Sequence, residues 1–82
     1  MRTVPAMEKR SLSLAGHRTS VALEPEFWTA VERLAAEDGL SLAAFVASVD
    51  RGRGEGNLAS ALRVTVLRRV EAAASGQAMS SD

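Results

Sequence analysis

The chain contains no cysteine and no tyrosine, and only one tryptophan, two phenylalanines, two prolines and one histidine in 82 residues. Without cysteine no disulfide can staple the fold, and one histidine cannot assemble a structural zinc site. The sequence therefore calls for no metal or other cofactor. No nucleophile, base and orienting group stand at a recognisable spacing, so catalysis is not expected. Apolar runs are too short to span a bilayer, and the first twenty residues lack the apolar centre of a secretory signal, so a cytoplasmic chain with no membrane partner is expected. Few aromatics in a chain this short leave a small core of its own, which makes oligomerisation the natural staple. With 46% apolar and 24% charged residues, the composition is globular rather than disordered.

The formal charge is zero, but it is unevenly spread. Residues 1–23 carry Arg2, Lys9, Arg10 and Arg18 against Glu8, a net +3. Residues 24–38 carry Glu24, Glu26, Glu32, Glu37 and Asp38 against Arg33, a net −4. Residues 39–71 return to +2 through Arg51, Arg53, Arg63, Arg68 and Arg69. A molecule polarised in this way can offer one basic face to a polyanion.

Residues 1–9 show no periodicity and read as a mobile arm. Residues 10–74 read as one domain, and 75–82 as a mobile tail closed off by Ser75-Gly76. Alternation through Ser11-Leu12-Ser13-Leu14 and Thr19-Ser20-Val21-Ala22-Leu23 predicts two half-buried strands. A two-residue type II′ turn at Gly16-His17 would join them, setting Leu14 opposite Thr19 and Leu12 opposite Val21. Leu12, Leu14, Val21 and Leu23 then share one face, while Ser11, Ser13, Ala15, Arg18, Ser20 and Ala22 share the other.

Pro25 opens a helix, with Glu24 and Glu26 at the positive end of its dipole. Its apolar face is Phe27, Trp28, Val31, Leu34 and Ala35, and Asp38-Gly39 terminates it. Ser41 caps a second helix with Leu42, Phe45, Val46 and Val49 on one face, ending in a glycine-rich stretch from Gly52. Asn57 caps a third, whose stripe is Leu58, Leu62, Val66 and Val70. Arg69 lies beside that stripe and would snorkel to water. The expected class is mainly α with a short antiparallel ribbon, in β-β-α-α-α order.

That order, with RTSVALEPEFWTAVERLAAEDG followed by LSLAAFVASVDR, resembles the ribbon-helix-helix family of DNA-binding proteins over about residues 18–51. The leading hairpin and third helix extend the similarity to a small bacterial subgroup over roughly 9–71. The resemblance implies an intertwined homodimer whose paired strands enter the major groove of double-stranded DNA. It implies base contacts from Arg18, Ser20 and Ala22. It also implies phosphate contacts from the free amides at Ser41, Leu42 and Ala43, to which Lys9, Arg10, Arg51 and Arg53 could add. The dimer core would be Val21, Leu23, Phe27, Trp28, Val31, Leu34, Phe45, Val46 and Val49. The expected function is sequence-specific DNA binding in transcription regulation, with nucleoid association. The alternative is an antitoxin-like interaction module that holds a protein partner through residues 57–74 and binds no DNA.

Blander readings stand beside these. His17 suits a turn, and the carboxylates of the first helix suit a solvated face. The glycines at 52, 54 and 56 follow a helix and lack the spacing and the lysine of a phosphate loop, so they read as a linker.

Overall fold

The computed structural model describes residues 6–54 and 56–79. Their element order is β1 (Glu8–Leu14), β2 (His17–Leu23), α1 (Pro25–Glu37), α2 (Leu42–Gly52) and α3 (Leu58–Met79). β1 thus begins inside the segment expected to be a free arm. The expectation for residues 1–5 lies outside the described residues.

β1 and β2 form an antiparallel two-stranded sheet in the register Glu8↔Leu23, Arg10↔Val21, Leu12↔Thr19 and Leu14↔His17. The turn therefore sits at Ala15-Gly16, not at Gly16-His17, and the pairing differs by two residues from the sequence expectation. Both turn residues have positive φ, 51° at Ala15 and 85° at Gly16. That is the mark of a type I′ connection, whose twist matches the flanking strands and whose second position suits glycine. Ala15 is held in the left-handed region at a cost of about 1–2 kcal/mol. A shift of two preserves each residue's face, so Leu14, Val21 and Leu23 are buried and Leu12 half-buried, as the alternation predicts.

Local chemistry sets the helix boundaries. Pro25 occupies the first turn of α1 after Glu24. At the other end, Leu40 N–H bonds Ala35 C=O and Gly39 N–H bonds Ala36 C=O, a Schellman closure that Gly39 permits at φ 70°. Ser41 Oγ accepts from Ala44 N–H at 3.1 Å at the start of α2, and Asn57 Oδ1 accepts from Ser60 N–H at 2.7 Å at the start of α3. Each such cap stabilises by about 0.5–2 kcal/mol. α3 does not stop at Ser75-Gly76 but runs on to Met79.

The core joins Leu14, Val21 and Leu23 of the ribbon to Trp28, Val31, Leu34 and Ala35 of α1, with Phe45 and Val46 of α2. Leu58, Leu62 and Val66 of α3 close it from the same chain. Of the nine residues expected to be shared across a dimer, seven are buried within one chain, and Phe27 and Val49 are half-buried. β1 and α3 supply this cover in cis. Val70 departs from the expected stripe and is 57% exposed, because α3 outruns the core beyond Val66.

Trp28 fastens the leading strand. Its indole Nε1–H donates to Glu8 C=O at 2.7 Å, which supplies the partner that a buried indole requires. The Arg10 guanidinium lies 4.6 Å from the indole centroid and pairs with Glu8 and with Glu32.

Candidate nucleic-acid interface

One face of the ribbon is turned to the core, and the opposite face is free of it. Along this outward face Lys9 stands opposite Ala22, Ser11 opposite Ser20 and Ser13 opposite Arg18. All are exposed except Ala22, which is half-buried. The face holds two cations and no carboxylate. Neither Lys9 nor Arg18 forms an ion pair among the described residues. A two-stranded ribbon has the width that a major groove admits, and hydroxyls flanked by unpaired cations suit this face to base edges and phosphates.

The remaining basic residues fall into two groups, a division that charge counting misses. Arg10 points inward, where Glu8, Glu32 and Trp28 hold it; its guanidinium is turned away from the outward face on which a phosphate contact was expected. Hydrogen bonds from Glu32 first, then Glu8, push its pKa upward. Arg53 caps the end of α2, bonded to Asp50 and to Gly56 C=O. Arg63 joins Glu24, and Arg69 joins Asp38 at 2.8 Å with Glu37 nearby, in place of the expected reach to open water. Arg33 on α1, Arg51 in the last turn of α2 and Arg68 on α3 remain exposed and form no ion pair among the described residues.

The acidic stretch of the sequence is therefore less a solvated face than a set of anchors. Glu24 and Asp38, flanking the two ends of α1, strap that helix to α3, and Glu32 straps it to β1. The Glu24 carboxyl is held below its ordinary 4.5 by its own backbone amide and then by Arg63; Asp38 is held below its ordinary 3.8 chiefly by Arg69. Depressed folded values mean that the straps contribute above the ordinary carboxyl range and are lost as pH falls through the folded values. Thermal stability at low salt is thus expected to be flat from pH 7 to about 5 and to decline below about 4.5. Arg69→Gln should shrink that decline in circular-dichroism melts, and an unchanged acid profile would refute the assignment. Both straps are solvent-exposed, so the effect is modest and weakens with salt.

At the start of α2, Ser41 Oγ accepts from Ala44 N–H and leaves its own O–H free to donate. The amides of Leu42 and Ala43 precede the first intrahelical bond, which Phe45 N–H makes to Ser41 C=O. Two free amides and a hydroxyl at a helix N-terminus are the kind of donors that suit an anion. No group of three or more potential metal ligands occurs among the described residues, and no described helix is long and apolar enough to cross a membrane. His17 opens β2 and is exposed, beside the turn rather than in it.

A two-stranded ribbon followed by a capped pair of amphipathic helices defines the strand-helix-helix class of small proteins. The chain belongs to the ribbon-helix-helix domain family, whose model matches residues 7–70. Members of this family generally bind DNA, as transcription regulators or antitoxins, and form dimers. Among solved structures, the chain is similar to an uncharacterized protein from Bordetella pertussis Tohama I, at 37% identity and a TM-score of 0.77. That similarity covers 89% of this chain and 62% of the other, so the chain spans less than two thirds of its solved relative. No curated protein matches it.

Proposed function

We propose that this chain is a sequence-specific DNA-binding protein of the transcription-regulator kind, acting as a homodimer through its ribbon. β2 is paired on one edge by β1 and, among the described residues, by no strand on the other, and that second edge pairs with the β2 of a symmetry mate. The resulting sheet has two outward β2 strands at its centre. Arg18, Ser20 and Ala22 then face the base edges: the guanidinium for guanine, the hydroxyl for either donor or acceptor, and the methyl for thymine. Lys9, the amides at Ser41, Leu42 and Ala43, and Arg51 act on phosphates and set affinity rather than sequence choice. Arg10 and Arg53 take no part, being held by carboxylates of their own chain. The observation that carries this reading is the outward ribbon face, whose Lys9 and Arg18 have no acidic partner while four other arginines do.

Selection from a random duplex pool at moderate salt is expected to yield an inverted repeat. On that repeat, Arg18→Ala should cost about 1–3 kcal/mol of discrimination per contacted base pair. Lys9→Ala should weaken all duplexes alike and reduce the salt slope by about one for each phosphate that Lys9 neutralises. An unenriched pool, or an Arg18→Ala protein that distinguishes selected from random duplexes as the parent does, would refute the reading.

A further inference from the structure

The circumference of α3 is apolar well beyond the face that closes the core. Leu58, Leu62 and Val66 are buried, yet Val64 and Leu67 on the far side are 41% and 54% exposed, and Val70, one turn beyond Val66, is 57% exposed. Helices with apolar residues on both sides are covered on both sides. Leu67, Val64 and Val70 also border a shallow depression of about 330 Å³ whose other walls are Phe27, Val66 and the Arg63 side chain. A second apolar face with a ready-made hollow is an interface rather than scattered surface residues.

The sequence of that face says what covers it. Val64 and Val70 each stand three residues from Leu67, on opposite sides of it, and Arg63 and Glu71 each stand four away. At 100° per residue these four positions flank Leu67 symmetrically. We propose that a second copy of this chain docks here, its α3 antiparallel to the first, with Leu67 on the two-fold axis. In that arrangement Val64 meets the partner's Val70, and Arg63 meets the partner's Glu71. The contact is isologous, as a two-fold axis requires, and its charges are complementary without any further residue. Glu71 forms no ion pair within the described chain, whereas Arg63 reaches Glu24 at 3.1 Å with its guanidinium over Phe27, already turned toward this face. The seam does not depend on the ribbon or on DNA. Where both contacts form, they join dimers into larger assemblies. About two to three helical turns of contact belong among the smaller interfaces, so association in the micromolar range is expected.

The absence of cysteine makes the axis directly testable. A Leu67→Cys protein, oxidised with glutathione disulfide at tens of micromolar, is expected to give a disulfide-linked dimer at least tenfold faster than a Thr29→Cys control on exposed α1. In sedimentation equilibrium, Glu71→Arg should weaken association at least tenfold, because the new guanidinium would face the partner's Arg63 with like charge. With Glu24→Gln present in every protein compared, so that the lost Arg63–Glu24 pair is common to all, the double variant Arg63→Glu, Glu71→Arg should recover it, with circular dichroism confirming the fold of each. Cross-linking no faster than the control would overturn the proposal, as would failure of the double variant to recover association. A different protein co-purifying on this face, with Leu67→Cys chains staying unlinked, would overturn it too. Sedimentation also registers ribbon pairing, so the seam is the association step that Glu71→Arg weakens and Leu67→Cys links; a dimer unaffected by either variant would overturn this seam and leave the ribbon's role standing.

Discussion

Trp28→Ala is expected to remove about 3–5 kcal/mol of folding stability, the cost of deleting a large buried aromatic and leaving its cavity. A chain of this size has about 4–12 kcal/mol to lose at the usual 0.05–0.15 per residue, so the variant should be largely unfolded at 37 °C. Volume is only part of the reason. Trp28 is 1% exposed and also bonds Glu8 C=O, so its loss releases the first strand from α1 and strands a carbonyl acceptor. The Arg10 guanidinium loses its aromatic platform in the same step. Trp28→Phe separates the two contributions, because it keeps most of the packing and removes the indole donor; about 1–2 kcal/mol is expected from it. Urea denaturation followed by circular dichroism measures both, since the variants lack the chain's one fluorescent indole. A loss under about 1 kcal/mol in Trp28→Ala would show that the hairpin is not held on the helix in this way.

The second large effect concerns α3. Leu62→Ala is expected to destabilise by about 2–5 kcal/mol, because Leu62 is fully buried among residues of its own chain. Leu67→Ala, five residues further on, should change stability by less than about 0.5 kcal/mol when measured dilute enough for the chains to be separate. Chemical denaturation of the two variants at low micromolar concentration makes the comparison. Equal effects would mean that α3 does not pack as described. The contrast bears on function, because the stripe Leu58, Leu62 and Val66 is part of the fold and is not available to a separate protein. Any partner of α3 must use the apolar residues that the core leaves open, Val64, Leu67 and Val70.

Much of the architecture was legible in short stretches of sequence. Alternation at Leu12, Leu14, Val21 and Leu23 assigned the ribbon's two faces and hence turned Arg18 and Ser20 outward. Pro25, Asp38-Gly39, Ser41 and Asn57 set the limits of the helices. Each signal acts over two to four residues, within reach of a turn of helix or one strand pleat, and nothing distant overrides it. The position of the hairpin turn was not legible, because either connection preserves the same faces and only the left-handed φ values at Ala15 and Gly16 separate them.

The tertiary structure alone decided which charges remain available to a ligand. Arg10 meets Glu32 across 22 residues, Arg69 meets Asp38 across 31, and Arg63 meets Glu24 across 39. Equally basic in sequence, these three are occupied by carboxylates that folding brings beside them, while Lys9 and Arg18 on the ribbon, like Arg33, Arg51 and Arg68 on the helices, form no ion pair among the described residues. On α3 the four-residue spacing of Leu58, Leu62 and Val66 already marked the side that serves the core, whereas only the packed structure showed that Val70 lies beyond that core and that Val64 and Leu67 stay open, because α1 and the ribbon reach no further along the helix.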